Sequence, residues 1–303
     1  MADDDLAPRR AWPPGVAFGA VRCRRWAGEA LSPSSTVLAG DVSSPCILHV
    51  PHASQLIPDD VRTGILLDDH DHDHDHELEL ELRAMTDVHT DLIAARAAEL
   101  VHGPRPWMFT NRLSRLVVDP ERFPDEREVM NAAGMGAVYT RTSTGEPLRD
   151  DDPQQRAALI STRFDPYAAA LAGLVDERLD ATGHAVILDI HSYPRDPLPY
   201  ELFADEARPE ICLGCDENHT PPWLRSLAHD ALAPGWGVGV NRPFHGTYVP
   251  LRHYGCDDRV TSLMLEIRRD TYVRPDGGPD QDAIMRLAGA IAALIDAITP
   301  LPA

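Results

Sequence analysis

The chain has 303 residues, 43% of them hydrophobic, and a formal net charge of −20 at pH 7. That is enough apolar material for one sizeable α/β domain or a domain with insertions. So acidic a balance excludes wholesale binding to nucleic acid or to anionic membrane, and no run of about 18 apolar residues predicts a membrane span.

Residues 1–36 begin acidic and turn Arg/Pro-rich between Asp3 and Pro14. Arg9-Arg10 lacks the apolar stretch of a secretory signal, since Trp12, Pro13 and Pro14 follow it. This stretch is expected to be an extension, with a single α/β domain over 37–303. Cys46 to Val50 reads as a short buried strand, and His52 stands just beyond Pro51. His49, inside the strand, is expected to be packed and hydrogen-bonded, so His52 is the better ligand candidate. In the tract that follows, His70, His72, His74 and His76 alternate with Asp. It reads as low-complexity surface chain with adventitious metal binding at most.

From Glu77 the pattern turns helical, with Leu82, Met85, His89, Leu92, Ile93, Ala97 and Leu100 at apolar spacing. Asp87 and Asp91 share one face of this helix; Asp87 either reaches a site or is a solvated carboxylate. Leu116 to Val118 is strand-like and flanked by Arg112, Arg115, Asp119 and Arg122. Arginines at strand ends suit a bidentate grip on a carboxylate; an Arg115–Asp119 salt bridge is the competing account. Residues 124–153, rich in Gly, Pro and charge, read as a long loop or lid. Pro153 to Thr182 reads as a helix or a helix pair.

Ala185 to Ile190 is apolar and β-branched apart from Asp189, the pattern of a strand buried on both faces. His191 stands at its exit, and open α/β sheets bind ligands at the carboxyl ends of strands. This His is either a strand cap or a metal ligand whose tautomer Asp189 or a backbone carbonyl fixes. With His52, two strands each deliver a His at their exit, which suits a zinc site of three protein ligands plus water. Cys212 and Cys215 match C-x-x-C, but Asp216, Glu217, Asn218 and Pro221 follow, so a loop with reduced thiols is expected. Five cysteines, an odd count in a large chain, suit the cytoplasm. A helix is expected near Pro222 to Leu232. The polar, aromatic loop Asn241 to Val249 could line a pocket, with Asn241, His245 and Tyr248 as candidates. Thr261 to Ile267 makes the last core strand. Its Glu266 is costly among apolar neighbours unless it is paired or used. Gln281 to Ile298 is an amphipathic closing helix.

Taken in order, HVPHAS at 49, MTDVHTDLI at 85, NRLSRLVVDPERF at 111, HSYP at 191, CLGCD at 212, NRPFHGTYVP at 241 and LEIRRDTY at 265 form a set. By this set the chain resembles the N-formylglutamate amidohydrolase family, which is similar in fold to zinc carboxypeptidases. The resemblance implies an α/β fold with a mixed central sheet flanked by helices. It makes His191-Ser192-Tyr193 the counterpart of the His-Ser-Tyr ligand motif and Glu266 that of the catalytic Glu. Where those enzymes carry a Glu ligand three residues after the first His, this chain has Gln55, so Asp87 is the candidate from its place in MTDVHTD. DPERF stands where Asp-x-Asn-Arg is expected. One zinc per chain is thus expected on His52, Asp87 and His191, with Glu266 as general base. Arg115 would stabilise the oxyanion and, with Arg112, hold a substrate carboxylate beside Asn241, His245 and Tyr248. The implied reaction is hydrolysis of a C–N amide bond in a small acidic substrate such as N-formylglutamate. The alternatives are another amide or peptide, γ-glutamyl or carboxypeptidase-like, and a non-catalytic zinc- or carboxylate-binding protein.

Overall fold

The computed structural model describes residues 29–32, 34–67 and 77–299. The Asp–His tract and most of the expected extension lie outside the described residues. In chain order the strands are β1 (Glu29–Ser32), β2 (Ser35–Leu38), β3 (Cys46–Val50), β4 (Trp107–Asn111), β5 (Ala185–Tyr193), β6 (Ile211–Gly214), β7 (Val238–Val240) and β8 (Val260–Arg268). The helices are α1 (Asp59–Arg62), α2 (Glu77–Met85), α3 (Thr90–Leu100), α4 (Pro153–Leu159), α5 (Asp165–Thr182), α6 (Pro222–Leu232) and α7 (Gln281–Ile298). No helix among the described residues is long and apolar enough to cross a membrane.

The strands form one mixed sheet in the order β1-β2-β4-β3-β5-β8-β6-β7. Its centre, β4-β3-β5-β8, is parallel, and β2 and β6 join it antiparallel. This is the mixed, helix-flanked α/β sheet expected from the sequence. The sheet starts at Glu29, inside the stretch read as an extension.

Alternation along the central strands builds two cores. Leu48 and Val50 of β3, Val186, Leu188 and Ile190 of β5, and Leu263, Leu265 and Ile267 of β8 face one way, into a core with α3, α6 and α7. Ile47, Ala185, Ile187 and Val260 face the other way, against Leu171, Leu174 and Val175 of α5. On that second face the strands turn polar toward their carboxyl ends. Ile47 gives way to His49, Ile187 to Asp189 and His191, and Ser262 to Glu266, all buried. The functional groups therefore emerge where the apolar cover of α5 ends.

Four local expectations need correction. The helix expected to run on from Glu77 is two helices, α2 and α3, with a turn at 86–89 between them. His89 enters α3 in the left-handed region at φ 65°. Asp87 therefore sits in the turn rather than on a helix face. Leu116 to Val118 is a buried turn, with the Val117 N–H donating to the Ser114 carbonyl; the strand of that region is β4. Cys212 lies in β6 rather than a loop, although Cys212 and Cys215 are unbridged as expected. Burial pushes the Cys212 thiol up to about 11, which makes it a poor nucleophile.

Candidate metal centre

Three buried donors meet at the carboxyl ends of β3 and β5. His52 follows β3 by two residues, His191 lies two residues before the end of β5, and Asp87 comes from the turn between α2 and α3. The two imidazoles face each other through Nδ1 atoms 3.3 Å apart. Asp87 Oδ2 lies 3.1 Å from His191 Nδ1 and 3.6 Å from His52 Nδ1. Tetrahedral zinc with nitrogen and oxygen donors at about 2.0–2.2 Å spaces neighbouring donors about 3.4 Å apart. The three atoms therefore have the spacing of three corners of such a tetrahedron, and the group could hold a metal ion. The position three residues after His52, Gln55, is exposed and takes no part.

Each donor is oriented from behind. The Asp87 N–H donates to the His52 carbonyl, which ties the turn to the strand exit. Asp87 Oδ1 faces away from the imidazoles and accepts from Arg269 Nη2 at 3.2 Å. Arg269 is itself fixed by the Ala84 carbonyl and the Ser192 hydroxyl. His52 Nε2 lies 3.0 Å from Asp119 Oδ1, a carboxylate–histidine pairing of the kind that sets a ligand's tautomer. Asp119 Oδ2 in turn accepts from Arg115 at 2.7 Å and from the Tyr139 hydroxyl. His191 Nε2 is 3.1 Å from both Glu121 and Asp189, yet out of line for a hydrogen bond with either. His49 is packed as expected, with Nδ1 2.8 Å from Asp189 and Nε2 bonded to the Tyr167 hydroxyl.

Electrostatics favours a cation here. Burial alone would raise the Asp87 carboxyl, but hydrogen bonds from His191 and His52 outweigh it and hold it well below the usual range. Burial likewise opposes charge on Asp119, and the Arg115 guanidinium overcomes it. For His191, burial opposes the charged ring, while Glu121 and Asp189 beside it push its pKa well above the ordinary value. An imidazolium held this firmly by carboxylates marks a place where a divalent ion can replace the proton.

Glu266 completes the constellation. In the parallel pairing of β5 with β8 it lies directly opposite His191. It is buried, and its Oε2 has no hydrogen-bond partner. Burial pushes its pKa up to about 7, tempered by the nearby His191. Neither basic neighbour in sequence neutralises it, because Arg268 pairs with Asp270 and the Arg208 carbonyl and Arg269 with Asp87 and Ser192. A carboxyl poised near neutrality beside a metal-competent triad can exchange protons at working pH.

A cavity of about 460 Å³ opens over these groups, lined by His52, Asp87, Arg115, His191, His245, Tyr248 and Glu266 among others. The structure thus gathers seven of the nine residues singled out from the sequence. Arg112 and Asn241 are not on this wall. Arg112 is exposed at the end of β4, its N–H donating to the Ser34 carbonyl, and the Asn241 side chain accepts from the Cys215 N–H. Three groups of the centre were not singled out: Asp119, Glu121 and Arg269. The first two could be sought in DPERF, two residues apart beside Arg115; Arg269 lies three residues after Glu266.

The family model described as N-formylglutamate amidohydrolase matches residues 44–273. Among solved structures, the chain is similar to N-formylglutamate amidohydrolase from Ralstonia eutropha JMP134, at 19% identity and a TM-score of 0.69. That match covers 88% of this chain and 97% of the other. It is also similar to a gene product of Agrobacterium tumefaciens, at 20% identity and a TM-score of 0.63, covering 89% of this chain and 96% of that one. At such identities these likenesses show a shared fold. No curated protein sequence matches the chain.

Proposed function

Because the chain belongs to the N-formylglutamate amidohydrolase family, a family of hydrolases, we propose that it cleaves the C–N amide bond of a small N-acylated amino acid. In this reading it uses one zinc ion per chain, held by His52, Asp87 and His191. The observation that carries the reading is the triangle of donor atoms with separations of 3.1, 3.3 and 3.6 Å, set beside an unpartnered buried carboxylate. Zinc in such a triad supplies a Lewis acid and lowers the pKa of water at its open position toward about 7.

The chain's own residues supply the rest. Glu266 accepts a proton from the attacking water at its free Oε2 and returns it to the departing nitrogen, which leaves as a neutral amine. Arg115 keeps its charge at any working pH, and Asp119 fixes its Nε and Nη2. Its Nη1 makes no hydrogen bond among the described residues and serves the substrate carboxylate and the developing oxyanion. Asp119 and Arg269 are positioning residues, acting through His52 and Asp87 respectively. His245 and Tyr248 border the bound substrate.

The test is to strip the full chain of metal, restore zinc, and assay deformylation of N-formyl amino acids in both states. About one tightly held zinc per chain and zinc-dependent turnover are expected. A folded chain that binds no zinc sinks the reading, and zinc binding without turnover of any amide marks a binding protein instead.

A further inference from the structure

Behind the metal centre stand two groups with no part in the chemistry above, His49 and Glu121. β3 pairs with β5 in a register that sets His49 directly opposite Asp189. Asp189 and His191 are two residues apart on β5 and share one face of the sheet. The strand that leads to His52 therefore also places an imidazole behind the other ligand, His191. His49 is fully buried, where the alternation of β3 calls for a second apolar residue after Ile47. Its ring neighbours Phe109, Tyr167 and Tyr248 would close equally well around such a residue. An imidazole in this place is costly unless its nitrogens are satisfied.

They are satisfied in a way that reaches the metal ligand. His49 Nδ1 lies 2.8 Å from Asp189 Oδ1 and 3.5 Å from Glu121 Oε1. Ionised carboxylates only accept, so Nδ1 carries the ring proton and Nε2 accepts from the Tyr167 hydroxyl. Burial holds that phenol protonated, its pKa well above the ordinary value. The same two carboxylates face His191 on their other side, where Asp189 Oδ1 and Glu121 Oε2 each stand 3.1 Å from Nε2. Carboxylates gathered this closely in a buried place repel each other, and the His49 N–H is the positive group within 3.5 Å of both. Asp189 Oδ2 is fixed separately by the Tyr248 N–H at 3.3 Å. A row of groups thus runs from Tyr167 through His49 and the carboxylate pair to His191 Nε2. That nitrogen is on the far side of the ring from Nδ1, which faces Asp87 and His52.

We propose that His49 and Glu121 are positioning residues for His191: His49 holds Glu121 and Asp189 together behind the ring, and the carboxylate pair keeps its Nδ1 edge turned to the metal. This rests on the metal-centre reading above. The test uses the full chain and two readouts, zinc affinity by chelator competition and the visible spectrum of the cobalt-substituted chain, which reports ligand geometry. His49→Leu and Glu121→Gln should each weaken zinc binding about 10–100-fold, the usual cost of losing a group behind a ligand His, and should shift the cobalt bands. His49→Asn keeps an N–H donor near the Nδ1 position and should recover most of the affinity and the wild-type spectrum. A lower melting temperature in the Leu variant, with zinc affinity and cobalt spectrum as in wild type, would make His49 a packing residue and overturn the proposal. Wild-type affinity in Glu121→Gln overturns it too. Should the Leu variant not fold, Glu121→Gln decides alone, since it keeps size and shape at a side chain that is 14% exposed. If the wild-type chain takes up neither zinc nor cobalt, the metal-centre reading fails by itself. The imidazole 15N spectrum of the metal-free chain then decides: the His191 Nε2 resonance should move in the Leu variant and return in the Asn variant, and an unmoved resonance overturns the proposal.

Discussion

Replacing Glu266 by Gln separates catalysis from stability in one variant. The carboxyl is 8% exposed, one of its oxygens lacks a partner, and burial lifts its pKa from 4.5 to about 7. Because the folded value is the higher one, the folded chain holds the extra proton between those values. The group's stabilisation is therefore present at acid pH and lost as pH rises toward 7. At pH 8 the ionised carboxylate costs the metal-free fold roughly 3 kcal/mol relative to the unfolded chain. Gln keeps the shape without the charge, so the metal-free variant should melt no lower than wild type at pH 8, and higher by up to that amount. The zinc-loaded variant should keep its metal yet lose about 10²–10⁴-fold in kcat, since it cannot accept a proton. Melting temperature, zinc content and kcat on one preparation test all three. Normal turnover refutes the role as base. A stability loss of about 3–5 kcal/mol, the signature of a broken buried ion pair, would show that Glu266 holds the sheet instead.

Further expectations concern the metal and its surroundings. His52 and His191 both have raised pKa values, set by Asp119 against burial for the first and by Glu121 and Asp189 against burial for the second. Protons therefore compete with zinc until pH passes those raised values, so the melting-point gain on adding zinc should grow from pH 6 to 8.5; a gain that shrinks excludes these ligands. In the metal-free chain the same histidines stabilise fully below their unfolded pKa near 6.5 and lose that contribution as pH rises through the folded values. Asp119→Asn should weaken zinc binding about 10–100-fold in a chelator competition, as loss of a carboxylate behind a ligand His does. Arg115→Lys gives up the planar fork onto Asp119 and should lower turnover of carboxylate substrates more than of their amidated analogues; equal losses would assign Arg115 to the salt bridge alone. Changing His70, His72, His74 and His76 together to Asn should leave the tight zinc and turnover as they are, by elemental analysis and assay.

The parts of this architecture legible in the sequence are those with strong periodicity. β3, β5 and β8 announce themselves as short apolar runs that end in His, Asp or Glu, because a buried strand must become polar where its helical cover stops. α6 and α7 are likewise found at their expected positions. The short strands β1, β6 and β7 have only three or four residues each, too few for a pattern. Leu116 to Val118 has strand composition but takes a turn, since those side chains can be buried equally well there. At the site, His52, Asp87, His191 and Glu266 could be chosen from their places in motifs. Arg269 could not, because a charged side chain in a charged run gains its role only from the partner that the fold brings to it. Arg112 shows the converse, an exposed strand-end arginine that does not line the cavity.

The clamp of Arg269 on Asp87 joins groups 182 residues apart, and this has a consequence for how the protein is made. Contacts so distant in sequence form late, after long stretches of chain have been closed into loops. During synthesis His52, Asp87 and His191 all leave the ribosome well before the residue that fixes Asp87's orientation. The nascent chain therefore carries its complete ligand set, from His191 to Arg269, through 269 − 191 = 78 residues of elongation without the means to shape it. Binding competence should arrive as a late step, once β8 has docked beside β5 and delivered Arg269 to the turn.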